Sequence, residues 1–229
     1  MESNLVAAAI RSAPLFAALP ARCHPPLESA ADVVEFEPGE LVQSPGRAVR
    51  AVSVVASGML RVDHHGQEQQ SRAVRILGPG DHVGLVAYLL GSPPPTSVVA
   101  IDRVTVAEVP FDALRAVLVD CPEFVASMLT TLATGLIECE HRLVSLATGD
   151  VRSRVISFLL SLPISSSGAD GRRVAFVVPH SDIASLLGTT PETLSRRLTE
   201  LVDDGLVERV APGEFLLDED GLVASLRRA

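Results

Sequence analysis

Apolar residues between positions 125 and 146 fall at Val125, Leu129, Leu132, Leu136, Cys139, Leu143 and Leu146, in steps of 4, 3, 4, 3, 4 and 3. An α-helix gathers such a series into one stripe, and three unbroken heptads make a stripe too long to leave facing water. Two coverings satisfy it: the chain's own domain, or the same helix from a second copy. The strict alternation favours the second copy, so these seven residues are the expected dimerisation seam of a homodimer. Pro122 stands just ahead of the run, where a helix needs no N–H, and Gly135 weakens it locally.

The texture on either side differs. From about Val33 to Val109 the chain consists of short β-rich runs broken by Gly and Pro: DVVEFEPGELV, AVSVVASGMLRVDHHG, RAVRILGPGDHVG, TSVVAID and VTVAEVP. Short strands at such regular spacing predict a closed antiparallel roll. Residues 2–13 predict a short helix, followed by a turn-rich stretch through Pro25 and Pro26. After the seam, Asp150 opens the helical run VRSRVISFLLSL, which Pro163 ends, and SSSGADG then reads as an exposed loop. RRVAFVV reads as a strand, SDIASLLG and TTPETLSRRLTELVDDG as helices, LVERV with EFLLD as a hairpin, and 220–228 as a last short helix. The expected fold class is α+β, with a β-roll over 1–110, a dimerisation helix and hinge over 111–148, and a winged helix-turn-helix over 149–229.

Composition sets limits on partners. No apolar run nears the roughly 20 residues that cross a bilayer, and Glu2 replaces the basic leader of a signal peptide, so the chain reads as cytoplasmic with no membrane partner. Cys23, Cys121 and Cys139 look too few and too scattered for a disulfide framework. All 19 basic residues are Arg, yet the net charge is −9. A chain so acidic is a poor non-specific binder of nucleic acid, so any specificity has to come from base contacts.

The stretch Ser181–Arg209 carries the chemistry. Gly188 supplies a tight turn after one helix, and Thr190, Pro191 and Glu192 are placed as N-cap, first and second residues of the next. Ile183, Leu186 and Leu187 give the first helix an apolar face, as Leu194, Leu198 and Leu201 do the second. Glu192, Ser195, Arg196 and Thr199 recur at three- and four-residue spacing on the opposite, polar face. A helix in the major groove needs such a face. Arg donates twice to guanine, Glu accepts from the cytosine amino group, and a short Ser touches a thymine edge. Arg197 and Thr199 are assigned to phosphates, and Thr190 joins the DNA-binding set at the helix start. On a lone helix this face would be ordinary solvated surface. Turn, second helix and wing together point to double-stranded DNA.

DIASLLGTTPETLSRRLTELVDDGLV resembles the signature of the CRP/FNR family of transcription regulators, in which a Gly-bounded turn precedes an E-T-x-S-R core. The resemblance extends over nearly the whole chain, loosely in the roll and closely in the last third. It implies a cyclic-nucleotide-binding-like β-roll as sensor, a homodimer on a palindromic site, RNA polymerase as a further partner, and base reading by Glu192, Ser195 and Arg196. Ser195 is similar to the FNR-like branch, which implies TTGAT-like half-sites. Pro191 stands where the cAMP-receptor branch has another Arg, and Pro179 where the family has a capping Thr.

For the signal, the family's phosphate-binding Arg has no counterpart: there is no Arg between Arg75 and Arg103, and Pro93, Pro94 and Pro95 fill the tip of the cassette. That argues against cAMP, because a buried phosphate needs a cation. Three dispersed cysteines argue against an iron–sulfur cluster, which takes four thiolates. Cys139 reads as a small hydrophobe on the seam, with an intersubunit redox disulfide as its alternative. Haem stays open as a cofactor, with His24 and His82 ahead of His64, His65, His141 and His180. A cupin-like metal-dependent enzyme using His64, His65 and Glu68 is the competing class, but it leaves the C-terminal motif unexplained.

Overall fold

The computed structural model describes residues 2–65, 71–148, 150–162, 164–168, 171–176 and 178–226. The chain forms two compact units, 1–137 and 138–229, so the stretch 111–148 set apart above is shared between them.

In the first unit the order is α1 (Glu2–Ser12), α2 (Pro14–Ala17), a 3-10 turn (Ala21–Cys23), α3 (His24–Ala30), β1 (Asp32–Phe36), β2 (Leu41–Gln43), β3 (Ala51–Ser57), β4 (Leu60–His65), β5 (Ser71–Leu77), β6 (His82–Val83), α4 (Leu85–Leu90), β7 (Thr96–Ala100), β8 (Val104–Pro110), α5 (Phe111–Asp120) and α6 (Glu123–Thr148). The strands make two antiparallel sheets, ordered β1-β8-β3-β6 and β2-β7-β4-β5. Val55, Leu60, Leu77, Val98, Ala100, Val104 and Val106 fill the space between them. The other face of β3 and β8 is covered too: Val52, Val54, Ala107 and Val109 pack with Ile10, Phe16, Leu27, Leu114 and Phe124 from the helices. Burial on both faces explains why Val54 and its neighbour Val55 are both apolar, while the buried Ser53 hydroxyl donates to Glu108 at 3.3 Å.

Two expectations are corrected here. The proline-rich stretch 14–26 is largely helical, because Pro14, Pro25 and Pro26 occupy first-turn positions of α2 and α3, where a missing N–H costs nothing. Cys23 and Cys121 form a disulfide, with Cα atoms 6.3 Å apart across 98 residues of sequence. Packing of α3 against α5 brings them together. Distance along the chain says nothing about that.

The root of α6 is fixed to the N-terminal helices. Phe124 lies 5.5 Å from Phe16 ring to ring, the Ser127 hydroxyl donates to the Leu15 carbonyl at 2.7 Å, and Arg22 pairs with Glu123 at 2.8 Å.

The second unit contains α7 (Val151–Ser161), β9 (Ile164–Gly168), β10 (Gly171–Ala175), α8 (His180–Leu186), α9 (Pro191–Asp203), β11 (Val207–Ala211), β12 (Glu214–Leu217) and α10 (Glu219–Leu226), with strand order β11-β12-β10-β9. Val155, Ile156, Leu159, Ile183, Leu194, Leu198, Leu201 and Phe215 form its core. The expected loop SSSGADG is corrected in part: Ser165–Gly168 belong to β9, which pairs antiparallel with β10 and satisfies an edge that would otherwise stand open. Pro163, Gly149, residues 66–70 (with Glu68, weighed above as a metal ligand) and residues 227–228 lie outside the described residues.

Candidate nucleic-acid interface

Asp150 caps α7 by accepting the Ser153 N–H at 2.6 Å. α7 packs on α9, and α8 packs on α9 through Ile183, Leu187, Leu194 and Leu198. Between α8 and α9 the chain turns at Gly188, whose φ of 60° is left-handed. Pro179 precedes α8 without a side-chain cap, as its chemistry dictates. Thr190 caps α9: its hydroxyl accepts the Thr193 N–H at 3.3 Å and lies 3.2 Å from the Thr193 hydroxyl.

Three apolar residues, Leu194, Leu198 and Leu201, are completely buried, which fixes how α9 is rotated about its axis. The rotation leaves Glu192, Ser195, Arg196 and Thr199 together on an exposed face, with Thr190 exposed at its leading end. The Thr199 hydroxyl donates back to the Ser195 carbonyl at 3.0 Å. At the start of the helix the Glu192 carboxylate accepts its own N–H and a bond from Thr190, which holds it below the usual carboxylate range. It stays an acceptor at neutral pH. Among the described residues Arg196 has no hydrogen-bond or ion-pair partner, so its fork of donors points to solvent.

Arg197 is placed differently. It is half-buried, its Nη1 donates to Glu200 at 2.7 Å, and its charge faces Asp150. Beside the helices, β11 and β12 form the wing, with Gly213 at its tip and Arg209 exposed on β11.

On α6 the side chains of Phe124, Ser127 and Met128 are buried against their own unit. The seam points elsewhere: Val125, Leu129, Leu132, Leu136 and Leu143 are 37–62% exposed in the single chain, and Cys139 is a free, exposed thiol. The side chain of Leu146 lies outside the described ones.

In the roll, α4 occupies the cassette and presents Leu85, Val86, Ala87, Tyr88, Leu89 and Leu90, with no cation. It starts at Gly84 (φ 93°), where an added Cβ would stand 2.5 Å from the Ala51 carbonyl oxygen. α4 therefore offers no charged side chain to a cyclic phosphate. His24 is buried, with its Nε2 3.2 Å from the Phe16 carbonyl, so that nitrogen is already engaged as a donor. Burial pushes the His82 imidazole below its ordinary value, Arg75 adds to that and Asp81 opposes it. His64 is exposed on β4 and His180 on α8, while the side chains of His65 and His141 lie outside the described ones. Among the described residues no three His, Cys, Asp or Glu side chains converge as metal ligands, and no single helix is long and apolar enough to cross a membrane.

A β-roll, a long helix with an uncovered apolar seam and a winged helix-turn-helix with an exposed polar recognition face together define a DNA-binding regulator. Family models agree: a cyclic nucleotide-binding domain matches residues 33–121, and a Crp-like helix-turn-helix domain matches 153–225. The chain is 26% identical over 196 residues to a CRP-like cAMP-activated global transcriptional regulator of Mycobacterium tuberculosis, covering 85% of this chain and 88% of the relative. It is 28% identical over 191 residues to the cyclic AMP receptor protein of Thermus thermophilus, covering 83% and 86%. FixK2 from Bradyrhizobium japonicum shares the fold with a TM-score of 0.76 at 22% identity, over 85% of this chain and 96% of that one. The chain belongs to the CRP/FNR family of transcription regulators.

Sequence reasoning found the face of α9, its cap and the seam, because each leaves a periodic signal. It did not find Arg152, Arg154 or Asp204, whose contacts with one another and with the turn join residues 33 to 52 apart in sequence.

Proposed function

We propose that the protein acts in the cytoplasm as a homodimer that reads a palindromic DNA site with TTGAT-like half-sites. The observation that carries this is the exposed face of α9, where Glu192, Ser195 and Arg196 stand together beyond a capped helix start. Arg196 donates to guanine, Glu192 accepts from cytosine, Ser195 meets a thymine edge, and Thr190 and Thr199 approach phosphates. Exposure of the α6 seam supports the dimer, since two copies would bury it and give the assembly two recognition helices for two half-sites. RNA polymerase is the proposed second partner.

The signal enters at the roll and is not a cyclic nucleotide, given the apolar α4 and its lack of a cation. Of the histidines weighed for haem, His82 is the better candidate, because the Phe16 carbonyl already holds His24. A redox signal is the other candidate, on the strength of the Cys23–Cys121 pair.

The test is binding to a labelled TTGAT-N4-ATCAA duplex. Arg196→Ala is expected to lose about 1–3 kcal/mol of discrimination, roughly five- to 150-fold in the affinity ratio. Equal binding to a scrambled duplex by the unmutated protein would sink the half-site assignment. An absorbance spectrum of protein made in haem-replete cells separates the signals: a Soret band lost in His82→Ala supports haem, and its absence removes it.

A further inference from the structure

The second unit carries a set of polar contacts that act on α9 from behind. At its far end α9 terminates on Asp203 and Asp204, two carboxylates where the helix dipole is already negative. Arg152, on the first turn of α7, answers this: its Nη2 donates to Asp204 Oδ2 at 2.7 Å. At the near end, Arg154 Nε donates at 2.8 Å to the carbonyl of Leu187, the residue between the end of α8 and Gly188. Between the two, Arg197 lies off the exposed face, bonded to Glu200, with its charge toward Asp150 at the cap of α7. The Nε of Arg197 is buried and has no partner among the described residues.

We propose that Arg152 and Arg154 are positioning residues, which lock the pose of the recognition helix on α7 from its entry turn and its end. Apolar packing alone fixes a helix's rotation better than its slide along the axis, because leucines repack at low cost. Ion pairs and a carbonyl bond at both ends are directional, and they set that slide. Glu192, Ser195 and Arg196 lie between the end tethers, so their register against base edges follows from α7. The inference rests on the DNA-binding reading of α9.

The experiment uses the full-length protein and variants Arg152→Gln, Arg154→Met and the swap Arg152→Asp/Asp204→Arg. Affinity for the TTGAT-N4-ATCAA duplex and for a scrambled one is measured across a salt series. Each single variant is expected to lose roughly three- to tenfold on the specific duplex, with the scrambled duplex unaffected and the salt slope unchanged. The swap should recover most of the loss. A slope lower by about one for Arg152→Gln would show a phosphate contact, and it would overturn the proposal, as would equal losses on both duplexes or a swap that rescues nothing. If the unmutated protein does not distinguish the duplexes, the half-site reading fails on its own. Amide hydrogen exchange without DNA then decides: Thr189–Ser195 should exchange faster in Arg154→Met while the roll is unchanged, and identical exchange would overturn the tethering.

Discussion

At the scale of single residues, the cap of α9 and the imidazole of His82 have consequences that can be measured. Thr190→Ala removes the acceptor of the Thr193 N–H, and it should cost about 1 kcal/mol in denaturant unfolding of the second unit. Thr190→Ser should restore most of this. His82 has a folded-state pKa below its ordinary value of 6.5, so the unfolded chain takes up the proton first as pH falls. Stability is therefore full above about 6.5 and declines as pH drops from there toward the lowered value. Thermal melts from pH 8 to pH 5 should show that slope, and His82→Gln should make it shallower. An identical slope in the variant would mean that other groups cause it. Glu192 is held in its ionised form by the helix start, so base reading by its carboxylate should not vary across the neutral range.

At the scale of elements, the outer stripe of α6 is the feature most open to challenge. Leu129→Asp and Leu136→Asp each place a charge at a position more than half exposed in the single chain, so the fold of one protomer should survive. Sedimentation should nonetheless find monomers, with specific DNA binding lost; an unchanged dimer would move the interface elsewhere. The seam was legible because heptad spacing is a property of the string. So was α9, with a proline at its first position and a threonine before it. The helices α2 and α3 were not legible, since Pro14, Pro25 and Pro26 mark a turn and a first helical turn with the same letter. β9 was hidden because serines and glycines carry no strand propensity, and its pairing with β10 is a tertiary fact. The tethers on α9 join charges from separate helices, and no local pattern announces them.

At the scale of the whole molecule, the bond between Cys23 and Cys121 spans all eight strands of the roll. Closing a loop of 98 residues restricts the unfolded chain by about 4–5 kcal/mol on the chain-entropy account. Reductant should therefore lower the melting temperature of the first unit by roughly 15 °C, and a Cys23→Ser/Cys121→Ser variant should be indifferent to it. Both residues are buried beside Phe16 and Phe124, at the place where α6 leaves the unit. The pairing also gives the chain the topology of a ring with two tails. A single protease cut between the two cysteines leaves one covalent piece, which parts into two only after reduction. Tension applied between the N-terminus and α6 passes across one sulfur–sulfur bond and bypasses the sheets. Stretched end to end, the oxidised protein should fall short of the reduced one by about 330 Å, the length of a roll that the pull never reaches.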